Sequence, residues 1–183
     1  MFILASASPR RKQLLKKFIQ DFEIIVANVD ERVLDSCVSP SMLALEESKL
    51  KAYSVYSLHP DDEVLAVDTI VLLNGKVLGK PKDEEDAFRM LKEQSGKKQE
   101  VISGYTYISK DREINRSVTT VVYFSSLSDE EIWNYIRKYK PLDKAGAYGI
   151  QDEAGLIEKI EGSYDNVMGL PTEDIKEYLF AKN

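Results

Sequence analysis

The sequence predicts a mixed α/β fold. Short apolar strand runs alternate with amphipathic helices, hairpin signals interrupt that alternation, and no internal repeat or low-complexity tract appears. The 183 residues suit a single domain over 1–183, or two small lobes sharing a cleft.

Each element has a local reason. Residues 2–5 form a short apolar run that reads as a buried strand. Ser8 then caps a helix that starts at Pro9 and carries Leu14, Leu15, Phe18 and Ile19 on one face. Residues 22–26 read as a second strand and 29–38 as a polar loop, and Ser39-Pro40 opens a helix to about Ser57. The strongest strand signal is 64–73, followed by Asn74-Gly75, a type I′ turn into a partner strand over 76–78. Ala87, Phe88, Met90 and Leu91 give residues 83–94 helical periodicity, ended by Ser95-Gly96. Two β-rich runs, 100–109 and 114–124, flank the charged turn Lys110-Asp111-Arg112-Glu113 and predict a long hairpin. Ser128 and Glu131 form a capping box for a helix to about Tyr139. After a glycine- and alanine-rich loop over 141–155, a strand is expected at 156–160 and a last helix at 171–180. Hairpins mixed with strand–helix alternation predict a mixed sheet, not a purely doubly wound one.

Composition narrows the functional classes. The 31 acidic and 25 basic residues give a formal net charge of −6. That balance disfavours stable binding to nucleic acid or anionic membrane, and leaves room for a small anion in a locally basic pocket. The apolar run at the N-terminus is too short for a signal peptide or a membrane span, so a soluble cytoplasmic protein is expected. Cys37 is the one cysteine, which excludes an intramolecular disulfide, and its flanks supply no base to activate a thiolate. His59 is the one histidine and lies in a turn-like stretch, which sets aside histidine-rich zinc sites and Ser-His-Asp triads.

The chemistry-bearing stretches are few. Ser6-Ala7-Ser8-Pro9-Arg10-Arg11-Lys12 joins strand to helix with two hydroxyls, free backbone N–H groups and three cations. Cations in a first helical turn oppose the helix dipole. A phosphate bound by arginine at a helix start explains them, and an ordinary capped helix with solvated arginines is the competing reading. Asp68 interrupts the apolar run 64–73, where a carboxylate is costly to bury unless paired or metal-bound. A strand bend with backbone hydrogen bonds would also hold it. Glu31, Lys51 and Lys80 are individually weak signals, although Lys80 lies across a hairpin from Asp68, so both can line one cleft. In Ala145-Gly146-Ala147-Tyr148-Gly149-Ile150-Gln151 the backbone is free to approach a ligand, with Tyr148 and Gln151 as base-facing candidates. Residues 162–171 read as a small-residue turn packing the last helix.

Together these stretches resemble the Maf family of nucleotide pyrophosphatases, first named for septum inhibition. The resemblance rests on Leu4-Ala5-Ser6-Ala7-Ser8-Pro9-Arg10-Arg11, Asp68-Thr69-Ile70-Val71, Leu78-Gly79-Lys80-Pro81 after Gly75, and Met90-Leu91 with Ser95-Gly96. It continues through Pro141-Leu142-Asp143-Lys144-Ala145-Gly146-Ala147-Tyr148-Gly149-Ile150-Gln151, Ile160-Glu161-Gly162-Ser163-Tyr164 and Val167-Met168-Gly169-Leu170-Pro171. These motifs are collinear over nearly the whole chain.

The resemblance implies cleavage of a nucleoside triphosphate between its α- and β-phosphates, giving monophosphate and pyrophosphate with Mg²⁺ or Mn²⁺. It also implies a homodimer and an ITPase-like α/β fold with two lobes around a central cleft. Ser8, Arg10, Arg11 and Lys12 match its phosphate-binding turn, and Glu31, Lys51, Asp68, Lys80 and Gln151 its polar active-site set. Asp68 and Glu31 would hold the metal, with Asp68 either the general base or a residue orienting the water through the metal, and Lys49 competes with Lys51 for the lysine position. The ending at Gln151 resembles the subgroup acting on dTTP and UTP. The alternatives are a 7-methyl-GTP pyrophosphatase and a non-catalytic nucleotide-binding regulator of septum formation. Three departures from the family pattern are Ala66-Val67 for Gly-Ala, Gln99 for histidine, and Ser103-Gly104 for Thr-Gly.

Overall fold

The computed structural model describes residues 1–34 and 38–180, so Cys37 lies outside the described residues. The strands are β1 (Phe2–Leu4), β2 (Glu23–Ile24), β3 (Glu63–Leu73), β4 (Lys76–Leu78), β5 (Lys98–Ile108), β6 (Glu113–Phe124) and β7 (Ile157–Glu161). They form one sheet in the order β2-β1-β3-β5-β6-β7, with β4 hairpinned onto β3. β1 pairs in parallel with β2 and β3, and every other pairing is antiparallel, so the sheet is mixed as predicted. The helices are α1 (Pro9–Leu15), α2 (Leu43–Tyr56), α3 (Glu84–Gln94), α4 (Asp129–Tyr139), α5 (Tyr164–Val167) and α6 (Thr172–Phe180).

The long central strands pass through two successive cores. At one end of β3, Leu65 and Val67 pack with Leu14 and Leu15 of α1 and with Ile175 and Leu179 of α6. Their alternates Val64 and Ala66 pack with Ala52 and Val55 of α2 on the opposite face. At the other end, Val71 and Leu73 join Ala87, Met90 and Leu91 of α3 and Ile132 and Ile136 of α4, while Ile70 and Leu72 meet Ala44 and Ile102. Burial on both faces explains why β3 reads as an unbroken apolar run instead of an alternating one. Asp68 and Thr69 occupy the waist between the two cores, where both are only half-buried.

That waist is also an opening. β1 pairs with β3 only as far as Leu4 opposite Leu65, and β4 pairs with it only from Leu78 opposite Val71. Residues 66–70 of β3 therefore have no strand neighbour on that edge, and the chain leaves β1 there to enter α1. A crevice beyond the carboxyl end of a parallel strand is where open α/β sheets place ligands.

Three expectations change in detail. The strand expected over 22–26 is only Glu23–Ile24, because its single partner β1 ends at Leu4. The helix from Pro40 starts with a 3-10 turn, Pro40–Met42, before α2 takes over. The loop over 141–155 is folded into 3-10 turns at Pro141–Asp143, Ala145–Ala147 and Ile150–Asp152, and α5 arises in the segment read as a plain turn. The Asn74-Gly75 turn is as predicted, both residues having positive φ, and so is the Ser128–Glu131 capping box.

Gly104 sets the depth of α2 against the sheet. It lies on β5 opposite Asp68, and a Cβ there would overlap the backbone of Leu45. The Ser48 and Thr106 hydroxyls meet at 2.9 Å nearby, fixing the same contact. Gly104→Ala is expected to lower the unfolding free energy by about 3 kcal/mol or more, since backbone cannot yield as a flexible side chain does. Urea denaturation measures it, with Gly79→Ala as a control where a Cβ meets no neighbour.

Candidate active site

α2 packed at this depth carries Lys51 to the waist of β3. Its ammonium contacts the Asp68 carboxylate directly and lies 2.6 Å from a Glu31 oxygen. Lys51 and Asp68 are 18% and 14% exposed, against 43% for Glu31, so the pair is inner and Glu31 faces the solvent side. The second Asp68 oxygen accepts the Thr69 amide at 2.9 Å, which fixes the carboxylate plane. Lys49 pairs instead with Glu46 at 2.8 Å, so Lys51 is the lysine at the cleft. Burial opposes the charge on Lys51, and Asp68 and Glu31 outweigh it, holding its pKa above the ordinary lysine value. It stays an ammonium throughout the neutral range.

Glu47 belongs to the same cluster. Glu31, Glu47 and Asp68 each offer a carboxylate oxygen within 4.8 Å of the others, a set that can hold a divalent cation. Sequence reasoning passes over Glu47. Its spacing of four residues from Lys51 on one helix is the available signal, since such positions share a face.

Thr69, the next residue on β3, points the other way and meets the arginine turn. Arg11 donates from Nε to Gly169 O at 2.7 Å, from one terminal nitrogen to Ser6 Oγ at 3.2 Å and from the other to Thr69 Oγ1 at 3.0 Å. Ser6 Oγ also accepts the Ser8 amide at 3.2 Å, and Ser8 Oγ accepts the Arg11 amide at 3.4 Å. The turn is thus self-organised, and Arg11 anchors it to β3 and to the segment before α6. Burial lowers the Arg11 pKa, with Asp68 pulling the opposite way. Arg10, the neighbouring cation, reaches outward and comes within 3.9 Å of Asp143.

A cleft of about 600 Å³ joins these groups, a size suited to a nucleotide-scale ligand. Its lining includes Ser8, Arg10, Arg11, Glu31, Lys51, Asp68 and Lys80 together with Asp143, Lys144 and Gln151. Lys12 is exposed on α1 and does not line the cleft. The remaining residues named from sequence come together there. Lys144, Ser6 and Thr69 are cleft residues that sequence reasoning does not single out. The segment before α6 is itself tied down by Asn166. That side chain donates to Val101 O, Val118 O and Thr120 Oγ1 at 3.0–3.3 Å, holding Gly169 where Arg11 needs it.

An α/β sheet with a cation-lined cleft at the end of its parallel strand, facing a carboxylate cluster, defines a phosphate-ligand protein class. Residues 1–181 match the family model described as Maf-like protein, and the chain belongs to that family. It is 49% identical to a dTTP/UTP pyrophosphatase of Thermococcus gammatolerans, over 96% of this chain and 93% of the relative. A dTTP/UTP pyrophosphatase of Thermosipho africanus is also 49% identical, over 98% and 92%, and one of Clostridium novyi is 50% identical, over 92% and 91%. Among solved structures, the Staphylococcus aureus Ham1 protein superposes with a TM-score of 0.50 at 15% identity, covering 68% of this chain and 71% of that one. That likeness concerns the fold alone, and it agrees with the ITPase-like mixed α/β architecture expected from sequence.

Arg11 and Lys12, adjacent in sequence, are expected to behave differently. Arg11→Ala should lower unfolding stability by about 2–4 kcal/mol, because three buried or half-buried acceptors lose a charged donor. Lys12→Ala should stay within about 0.5 kcal/mol of the parent in the same urea titration.

Proposed function

We propose that the chain is a nucleoside triphosphate pyrophosphatase that splits dTTP, UTP and modified pyrimidine nucleotides into the monophosphate and pyrophosphate. The observation that carries this reading is the Asp68–Lys51–Glu31 cluster lining one cleft with the Arg10 turn. The relatives named dTTP/UTP pyrophosphatase support it over nearly the full chain.

In this reading the chain spans one functional unit over 1–183, since both walls of the cleft come from distant parts of it. Ser8 and Arg10 bind the phosphate chain, and Arg11 keeps the turn in shape while adding its field to the same side. Lys80, exposed at the rim without an ion pair among the described residues, closes on the outer phosphates. Glu31 and Asp68, with Glu47 beside them, would hold Mg²⁺ or Mn²⁺, because three clustered carboxylate oxygens suit a hard cation. Such a cation supplies charge neutralisation and a more acidic bound water.

The proton chemistry falls to Asp68. Lys51 cannot accept a proton at neutral pH, since it already carries one. It holds the Asp68 carboxylate in place and opposes charge building on the phosphates. Asp68 then takes the proton from the water that adds across the α–β anhydride, and pyrophosphate leaves. Gln151 also lines the cleft, with its amide unbonded among the described residues, leaving a donor and an acceptor for pyrimidine O4 and N3–H. A cytoplasmic homodimer completes the proposal, and sedimentation equilibrium tests the dimer.

Pyrophosphate release from a panel of triphosphates with Mn²⁺ tests the whole reading. dTTP and UTP are expected to turn over in preference to 7-methyl-GTP, and a chelator should abolish the reaction. Asp68→Asn should reduce kcat by about 100-fold or more. Unchanged turnover in that variant would reject the role given to Asp68. Tight metal-independent nucleotide binding without product would instead identify a non-catalytic regulator.

A further inference from the structure

Lys144 stands out among the cleft cations because the fold makes room for it. A Cβ on Gly149 would lie 2.9 Å from Lys144 Cε and 3.1 Å from Cδ. Gly149 has φ of −120°, a conformation open to any residue, so backbone strain does not explain the glycine. What a Cβ would meet is side chain: the lysine stem lies across the glycine, and Asp152 Oδ2 would sit 3.0 Å from the same Cβ. Asp152 is itself held by the Tyr135 hydroxyl at 2.6 Å, and that hydroxyl accepts the Gly149 amide at 2.9 Å. The floor beneath the lysine is therefore fixed by α4, and the side chain is preorganised on it.

Its head group is not correspondingly satisfied. The Lys144 side chain is 14% exposed, yet its one ion pair among the described residues is to Asp143 at 3.2 Å, a neighbour that is 68% exposed. Exposed pairs of that kind contribute little. The other Asp143 oxygen lies 3.9 Å from Arg10. One solvent-facing carboxylate thus bridges two cleft cations that come from distant parts of the chain.

We propose that Lys144 is a further substrate-contacting cation, gripping the phosphate chain together with the arginine turn, with Asp143 occupying its place until substrate arrives. The proposal rests on the reading of the cleft as a nucleoside triphosphate site. A polyphosphate carries several oxygens, so it displaces one carboxylate from both Arg10 and Lys144 and bridges the two cations more strongly than Asp143 does. Gly149 then matters for binding through the lysine stem it accommodates, without touching substrate itself.

Binding of inorganic tripolyphosphate in Mg²⁺ buffer, followed by calorimetry, tests this without requiring turnover. Lys144→Met is expected to weaken tripolyphosphate about tenfold or more, in line with loss of one charge-assisted contact. Lys144→Arg should retain most of the affinity, and Asp143→Asn should tighten it. With dTTP the Lys144→Met variant should raise KM by a similar factor and change kcat less. Unchanged tripolyphosphate affinity in folded Lys144→Met overturns the proposal, as does a loss of melting temperature without a loss of affinity. If wild-type protein turns over no triphosphate, the functional reading fails while the tripolyphosphate series still decides Lys144.

Discussion

The contact between the Lys51 ammonium and the Asp68 carboxylate is the constraint on which the rest of the structure turns. A half-buried ion pair at a sheet's waist is stable only when both partners are held and further hydrogen bonds satisfy them. Asp68 is held by β3 and by the Thr69 amide, and Lys51 by α2. α2 reaches that depth because β5 offers Gly104 directly opposite Asp68. The opening beside the pair exists because β1 stops at Leu4 and β4 pairs only from Val71 onward. Strand lengths, one glycine and one helix therefore converge on a single charged contact.

Alternation along β3 then divides the labour of the site. Asp68 faces α2 and its lysine, while Thr69 faces the arginine turn and Gly169. The two arginines divide in the same way. Arg11 spends its three nitrogens on Gly169, Ser6 and Thr69, tying together segments far apart in the chain. Arg10 keeps only a long contact with Asp143 among the described residues. The sequence pair Arg10-Arg11 reads as one motif, whereas the geometry makes Arg11 a scaffold and leaves Arg10, in the proposed function, as the contact. α1 is a short helix whose Arg11 amide is already capped by Ser8, so the side-chain cations carry most of the attraction for an anion.

Much of the fold was legible in the sequence because its signals are local. Pro9 after Ser8, Asn74-Gly75 and the Ser128–Glu131 box each specify a backbone conformation within a few residues. Asp68 was legible for the opposite reason, as a charge where its neighbours demand apolar groups. What escaped depends on contacts between distant segments. Glu47 looks like one more surface acid on a charged helix until α2 is seated on β5. Lys144 looks solvated until its stem is seen lying over Gly149. The strand over 22–26 was overread because its length is set by β1, not by its own apolar residues.

Charge distribution explains how an acidic chain comes to hold a cationic cleft. The net charge of −6 is a property of the whole surface, and it acts at long range on anything approaching. A nucleic acid, with its charge spread over many nucleotides, meets that outer field along its entire length. A small polyphosphate can instead enter the crevice, where Arg10, Arg11, Lys51, Lys80 and Lys144 face it within a short distance. Inside, water is partly excluded and each cation acts more strongly than it does at the surface. Carboxylates lining the cleft offset the mutual repulsion of those cations, as Asp143 does between Arg10 and Lys144. In the proposed function the acidic exterior and the cationic cleft therefore act together: the first works against long polyanions, and the second favours short ones.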